Sequence, residues 1–153
     1  METTVGRQQT RPVKPLIAVG IIALVLLAAA FIFRPARPGT ATSGRVTIVE
    51  PRDGATVSSP VRVKMAADNF KVEPAGPVAA GRGHLHIMVD TECVPAGQVI
   101  PKDDKHLHYG KGQTEAELKL APGPHRLCLQ AANGAHVALG GEGMQQTIAI
   151  TVK

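Results

Sequence analysis

The stretch HLHIMVD, residues 84–90, decides the fold that this sequence predicts. Its apolar residues Leu85, Ile87 and Val89 occupy every second position, and alternate side chains of a β-strand project to opposite faces. This alternation is typical of a strand with one face against a core. The same period of two recurs in RVTIVE (45–50), VRVKMAA (61–67), EAELKL (115–120), RLCLQA (126–131) and QTIAITV (146–152).

Clusters of Pro and Gly separate these segments, at residues 74–77, 81–83, 95–97, 121–124 and 140–143. Such clusters mark turns, and strands separated by turns are typical of an all-β domain. Roughly six to eight short strands, each with one apolar and one polar face, predict an antiparallel β-sandwich. A closed β-barrel is the alternative fold.

An apolar segment, LIAVGIIALVLLAAAFIF at residues 16–33, precedes the predicted sandwich. It is uncharged and at the short end of what crosses a hydrocarbon core of about 30 Å. Arg7, Arg11 and Lys14 come before it and favour a cytoplasmic N-terminus. We predict a cytoplasmic tail at 1–15, a transmembrane signal-anchor at 16–33, a Pro- and Gly-rich linker at 34–43 and an exported domain at 44–153.

A cleaved signal peptide is the alternative for this segment. Ala28, Ala29 and Ala30 fit the small-residue pattern of a cleavage site. The apolar run nevertheless continues through Phe33 and ends at Arg34, which favours an uncleaved anchor. Both interpretations export the rest of the chain.

The formal net charge of +5 is concentrated beside the apolar segment. Residues 1–39 hold five basic residues and one acidic residue, whereas residues 40–153 hold twelve and eleven. Nucleic-acid-binding domains usually combine a basic face with stacking aromatic residues. The exported part is nearly neutral and its aromatic residues are Phe70 and Tyr109, so we predict no nucleic-acid partner.

Four of the six histidines form two H-x-H pairs, in HLHIMVD and in KHLHYG (105–110). Residues two apart share a strand face, so two neighbouring strands of this kind would gather up to four imidazoles. Imidazole suits zinc, copper and nickel, and a thioether favours copper. The predicted ligands of a copper or zinc ion are His84, His86, His106, His108, His136 and Met88.

Histidines on an outer strand face also have structural roles. Cross-strand ring pairs stabilise a sheet, and ring N–H groups brace loops by hydrogen-bonding to carbonyls. The sequence leaves this interpretation open. For a metal site, Asp90, Asp103 and Asp104 are candidate acceptors for the second ring nitrogen, and Met144 is a second candidate thioether.

Catalysis has little support in the sequence. The chain has no HExxH, GxSxG or P-loop motif. Its glycine-rich segments at 81–84 and 110–113 open no predicted helix, so phosphate binding is not favoured. We predict that the protein is not an enzyme.

The chain has two cysteines, Cys93 and Cys128. An even number of cysteines in an oxidising compartment favours a disulfide, which would contribute about 3–4 kcal/mol by loop-closure arithmetic. We predict this bond. Two free buried thiols are the alternative.

Residues 83–139 carry a longer pattern. It runs G-H-x-H-x-x-x-D, then P-x-x-x-x-H-x-H-x-G-x-G-Q-T-E, then L-x-P-G-x-H-x-L-x-L, and ends on a late A-H. In order and spacing it resembles the bacterial exported family called domain of unknown function 4399. The resemblance implies an immunoglobulin-like β-sandwich and implies no activity.

Together these expectations predict a membrane-anchored, non-catalytic binding domain. It would be a single-pass protein of a bacterial inner membrane, with its C-terminal domain in the periplasm or outside the cell. Its partners would be the membrane through residues 16–33, a copper or zinc ion, and an envelope protein. The alternative function is a protein-interaction or envelope-assembly module whose histidines are structural.

Overall fold

The computed structural model describes residues 44–153, so the predicted tail, anchor and linker lie outside the described residues. Each segment with a period of two forms a strand, and the second H-x-H pair is also extended. The strands are β1 (Arg45–Glu50), β2 (Thr56–Val57), β3 (Val61–Asp68), β4 (Lys71–Val72), β5 (Arg82–Val89), β6 (His106–Tyr109), β7 (Glu115–Leu118), β8 (Gly123–Ala132) and β9 (Gln145–Val152). Within residues 44–153 no helix is long and apolar enough to cross a membrane.

The strands form two sheets. The first has the order β1-β3-β7 and is antiparallel. The second has the order β2-β9-β8-β5-β4, and β6 also pairs with β5. Its longer pairings are antiparallel, whereas β2 with β9 and β4 with β5 pair in parallel over two residues each. The described part of the chain is therefore all-β, with one antiparallel and one mixed sheet.

One hydrophobic core contains apolar residues from both sheets. Val46 and Val63 of the first sheet belong to the same buried cluster as Leu85, Leu127 and Ile148 of the second. These residues come from the faces that the alternation predicts to be apolar. Burial of a side chain of this size stabilises the fold by about 1.5–3 kcal/mol, so the shared core holds the two sheets together.

The opposite face of β5 and β8 is also buried. The prediction that this face is polar and exposed to solvent is therefore wrong. Two loops cover it, residues 90–105 between β5 and β6 and residues 133–144 between β8 and β9; we call these the cover loops. A second apolar cluster lies under them and consists of Met88, Val94, Ile100, Cys128, Ala132 and Ala138. β5 therefore has a buried face on each side.

Side-chain hydrogen bonds fix the first cover loop to β8. Gln130 is buried, its Oε1 accepts the Val94 N–H at 2.9 Å, and its Nε2 donates to the Val94 carbonyl at 2.7 Å. Cys93 and Cys128 lie at disulfide distance beside this contact, with Cα atoms 5.7 Å apart.

Backbone hydrogen bonds join the two cover loops to each other. The Gly97 N–H donates to the Ala138 carbonyl at 2.9 Å, and the Ala138 N–H donates to the Gln98 carbonyl at 2.8 Å. The two cover loops thus form one hydrogen-bonded layer over the second sheet, and the histidines of β5 lie beneath this layer.

Candidate metal centre

Four imidazole rings meet on the covered face. β5 supplies His84 and His86, β6 supplies His108, and the second cover loop supplies His136. Five of the six ring-centroid separations are 4.8–5.0 Å, and the sixth, between His86 and His136, is 6.1 Å. We call these four residues the histidine cluster.

The inner pair of the cluster is placed by the alternation of β5. His84 and His86 project away from the main core and are 0% and 1% exposed. Their strand is paired with β8 on one side, where His86 lies opposite Gln130, and with β6 on the other. Both rings are therefore held on a central strand, which restricts their movement.

The third ring is placed by strand register. His108 lies directly opposite His86 in the antiparallel pairing of β5 with β6. A Cβ atom at Gly110 would overlap the His108 ring, so the absence of a side chain there leaves space for the imidazole. His108 is an exposed residue, and it closes the cluster on its solvent side.

The fourth ring comes from a tight turn in the second cover loop. His136 has a φ of 65°, which is uncommon for a residue with a side chain. The Asn133 side chain holds this turn, because its Oδ1 accepts N–H groups of Ala135 at 2.9 Å and Val137 at 3.1 Å. The first cover loop adds a hydrogen bond from the Ile100 N–H to the His136 carbonyl at 2.9 Å.

The ring nitrogens approach each other closely. Nε2 of His84 and Nε2 of His86 are 3.0 Å apart, and Nε2 of His108 and Nε2 of His136 are 3.2 Å apart. His84, His86 and His108 also each offer a ring nitrogen within 4.8 Å of the other two. A metal–nitrogen distance of about 2.0–2.1 Å places neighbouring ligand nitrogens about 2.9–3.4 Å apart, so each close pair has the spacing of two ligands on one ion.

The ring separations also bear on coordination geometry. Around one ion, tetrahedral imidazoles would have centroids about 5.2 Å apart, whereas a square would have four separations of about 4.5 Å and two of about 6.4 Å. The cluster has one long separation, between His86 and His136. Its arrangement therefore matches a tetrahedron that is opened along one edge.

The buried rings have unmet hydrogen-bonding capacity. A neutral imidazole carries one donor and one acceptor. Within residues 44–153, Nδ1 of His84 and Nδ1 of His86 are buried and have no hydrogen-bond partner. An unsatisfied buried polar atom costs about 1–3 kcal/mol, so contacts within the protein do not fully satisfy this pair.

The cluster favours neutral imidazoles. Burial first, and then charge repulsion from the neighbouring rings, lower the pKa of His86 to about 3 and the pKa of His84 to about 4. The pKa of His108 is also lowered, first by burial and then by the charges of His136 and Lys102. Metal ions bind the unprotonated ring, so His84, His86 and His108 are in the ligating form at neutral pH.

Other predicted ligands lie elsewhere. The His106 ring hydrogen-bonds through Nδ1 to Asp103 Oδ1 at 2.8 Å, so this histidine has its own partner. Met88 lies opposite His106 in the strand register and packs in the second apolar cluster. Met144 packs in the main core. The predicted acceptor Asp103 thus serves His106.

A histidine–aspartate pair outside the cluster was missed by the sequence analysis. His125 donates from Nδ1 to Asp90 Oδ2 and from Nε2 to the Ala121 carbonyl, both at 2.8 Å. The carbonyl of Ala121 and then the carboxylate of Asp90 raise the pKa of His125. Its only sequence signal is its place in the L-x-P-G-x-H pattern. Asp90, predicted as an acceptor for a metal ligand, serves His125 instead.

A cavity of about 490 Å³ borders the cluster. The residues that line it are His86, Val99, Ile100, Pro101, Lys102, His108, Ala135 and His136. Three members of the cluster therefore face this space. The sequence did not predict that Lys102 lies at this site, because nothing in its local pattern distinguishes it from other surface lysines.

The family of the chain follows from a match over its C-terminal part. Residues 63–153, more than half of the chain, match the model of the domain of unknown function DUF4399. The protein belongs to this family. The match includes all four histidines of the cluster, so the arrangement described above lies within the DUF4399 domain.

No curated protein matches the chain. Among solved structures, the X-ray structure of the endo-beta-1,4-mannanase from Thermotoga petrophila is similar at 13% sequence identity and a TM-score of 0.44. The similarity covers 86% of this chain and 24% of the mannanase chain, so the chain spans about a quarter of that protein's length.

Proposed function

We propose that this DUF4399 protein is a non-catalytic binding domain that holds one copper or zinc ion in the histidine cluster. The observation that carries the proposal is the convergence of four imidazoles from three separate parts of the chain. Five of their six centroid separations are 4.8–5.0 Å, between the values of about 4.5 Å and about 5.2 Å for square and tetrahedral imidazoles around one ion.

The donor set limits the choice of ion. Nitrogen donors suit copper, zinc and nickel, whereas calcium and magnesium prefer oxygen. The near-tetrahedral arrangement favours zinc, and copper competes through its higher intrinsic affinity for nitrogen ligands. An ion would use the Nε2 lone pairs of His84 and His86, which lie 3.0 Å apart.

The setting of the domain is part of the proposal. Residues 16–33 anchor the chain in a bacterial inner membrane, and residues 44–153 form an immunoglobulin-like sandwich in the periplasm or outside the cell. The apolar segment and the basic residues before it support this placement.

Calorimetric titration of the full chain in detergent with Zn²⁺ and Cu²⁺ tests the metal site. We expect one ion per chain, and we expect the double variant His84→Ala/His108→Ala to abolish binding. The matched control is His106→Ala, which removes the neighbouring histidine of the same H-x-H pair but leaves the cluster intact. His106→Ala should keep the affinity of the unmodified chain within about threefold, a change of less than 1 kcal/mol.

Two results would contradict the proposal. One is that neither metal binds more tightly than it does to the double variant. The other is that His106→Ala and His108→Ala weaken binding equally, since this would indicate adventitious binding to surface histidines.

A second candidate function is favoured by the same short contacts. The Nε2–Nε2 separations of 3.0 Å and 3.2 Å are also hydrogen-bond distances, so the rings could serve as braces between β5, β6 and the second cover loop. The domain would then be a protein-interaction or envelope-assembly module. In that case His108→Ala lowers the free energy of unfolding by about 1 kcal/mol and added metal changes nothing.

A further inference from the structure

We propose that the metal centre binds a small carboxylate anion, which ligates the ion from the cavity side and pairs with the ammonium group of Lys102. This inference rests on the proposed function, because the carboxylate needs the ion. The carboxylate is a second ligand of the site, and Lys102 selects it.

The site would carry a net positive charge, which favours the binding of an anion. Neutral imidazoles contribute no negative charge, so a divalent ion in the histidine cluster keeps its charge of about +2. The residues that line the adjoining cavity include no Asp or Glu, and Lys102 adds a positive charge there. Asp103, close in sequence, already accepts hydrogen bonds from His106 and from the Lys105 N–H. A partly buried charge without a counter-charge is costly, and an external anion would supply one.

The shape of the cluster leaves a position for this ligand. The widest separation in the cluster, 6.1 Å, is between His86 and His136. Both residues line the cavity, so the open edge of the tetrahedron lies on a wall of that space. Zinc and copper both accept a fifth ligand, and a carboxylate oxygen entering between these two rings would take it without displacing a histidine.

The cavity has room for the part of the ligand that does not contact the ion. Its volume of about 490 Å³ lies in the range of small-molecule pockets. Val99, Ile100, Pro101 and Ala135 give it an apolar wall, which suits the carbon body of an organic acid more than a halide ion. Lys102 lines the same cavity as His86, His108 and His136, so a carboxylate in that cavity has both the ion and the ammonium group on its walls.

Binding here is a reversible ligand association. A carboxylate oxygen would donate an electron pair to the bound ion as a fifth ligand, in place of any solvent molecule there. No bond within the carboxylate breaks and no electron is transferred.

The test uses the full chain in detergent loaded with Cu²⁺, with azide as a spectroscopic anion. Azide bound to copper gives a charge-transfer absorption, which we expect to saturate and to be displaced by acetate. Lys102→Gln should weaken both anions about 3- to 10-fold, the size expected for one partly exposed charge contact. Lys102→Arg should restore most of the affinity. The matched control is Lys119→Gln, which changes an exposed lysine directly after β7. This variant should bind azide as the unmodified chain does.

The outcomes separate this inference from the proposed function. If copper binds stoichiometrically but azide gives no saturable absorption, the anion site is refuted and the metal site stands. The same holds if Lys102→Gln and Lys119→Gln bind azide equally. If copper itself does not bind, both the metal site and the anion site fall.

Discussion

Histidines in this domain differ in their chemistry because of their surroundings. His106 and His108 belong to one H-x-H pair, yet His106 hydrogen-bonds to Asp103 whereas the His108 ring faces those of His84 and His136. His125, with an acceptor at each ring nitrogen, has a raised pKa, and the buried inner pair has lowered pKa values. Local partners, not residue type, decide which ring offers a lone pair.

The lowered pKa values predict that the metal-free domain is less stable in mild acid. The unfolded histidines have a pKa of about 6.5, whereas those of folded His84 and His86 are about 4 and about 3. The unfolded state therefore binds more protons below pH 6.5, and stability falls as pH decreases. We expect the free energy of unfolding to drop by about 2–4 kcal/mol between pH 7 and pH 5, measured by urea denaturation of the chelator-treated protein.

The control is the variant His86→Gln. The quantity to compare is the slope of the free energy of unfolding against pH, for the variant and for the unmodified chain. This variant should have a shallower slope even if it is less stable at pH 7. His125 acts in the opposite sense, because its raised folded pKa adds stability that is complete below about pH 6.5 and is lost as pH rises through that folded value. Equal slopes for His86→Gln and the unmodified chain would contradict the assignment.

Gly110 provides a second prediction at the residue scale. A Cβ atom there would overlap the His108 ring, so Gly110→Ala should push the imidazole away from the cluster. We expect metal affinity to fall at least tenfold, about 1.4 kcal/mol, with a smaller effect on the unfolding transition. Calorimetric titration with Zn²⁺ measures the first quantity, and thermal unfolding of the metal-free chain measures the second.

Gly76→Ala is the matched control. An added Cβ at Gly76 would have no heavy atom within 4 Å, and this glycine is not among those with positive φ. The substitution should leave affinity unchanged. If Gly110→Ala binds zinc as tightly as Gly76→Ala does, His108 does not need its present position to bind the metal.

Among the secondary-structure elements, β5 has the central role. Its residues pair with β8 on one side and with β4 and β6 on the other. One face contributes Leu85 and Ile87 to the main core, and the other carries the inner histidine pair under the cover loops. Stability and the candidate site therefore depend on opposite faces of the same strand.

The cysteine pair is predicted to stabilise both the fold and the site. Cys93 lies in the first cover loop and Cys128 in β8, with Cα atoms 5.7 Å apart. Replacing both with alanine should lower the free energy of unfolding by about 3–4 kcal/mol. It should also weaken Zn²⁺ binding, because the loop that carries the cavity wall becomes less restrained. Urea denaturation and calorimetry measure the two effects.

The bond itself is checked by intact mass under non-reducing conditions, where a disulfide makes the chain about 2 Da lighter than the dithiol. Exposure to an alkylating reagent without reductant should leave both cysteines unmodified. Complete alkylation of the native protein would show free thiols and remove the basis for the stability prediction.

At the scale of the whole molecule, the chain combines a basic N-terminal flank and an apolar segment with a nearly neutral β-domain. The described residues 44–153 begin where the predicted linker at 34–43 ends. An exported, tethered domain would meet metal ions and organic acids outside the cytoplasm. The proposed site and its proposed ligand are consistent with that location.

The anchor is predicted to remain attached. The full chain expressed in bacteria should fractionate with the inner membrane and should resist extraction at alkaline pH, because residues 16–33 are predicted to span the hydrocarbon core. N-terminal sequencing should recover the original N-terminal region. A mature chain that begins at Phe31 would instead show a cleaved signal peptide, and the domain would then be released.

The strands and the shared core could be predicted from the sequence alone. Their signal is local, since apolar residues at every second position, as in Leu85 and Ile87, require only a strand and something apolar to cover it. The H-x-H spacing likewise placed two rings of each pair on one face. Parity predicts four converging rings, and the structure groups three of them, His84, His86 and His108, whereas His106 pairs with Asp103.

Only the tertiary structure decided the remainder. The polar face expected for β5 and β8 is buried, because cover loops from distant parts of the chain close over it. The separation of His108 from His106, the placement of His136 on a left-handed turn, and the approach of Lys102 depend on strand register and loop packing. Alternation specifies which side of a strand a ring occupies, but contacts between residues far apart in sequence decide what it meets there.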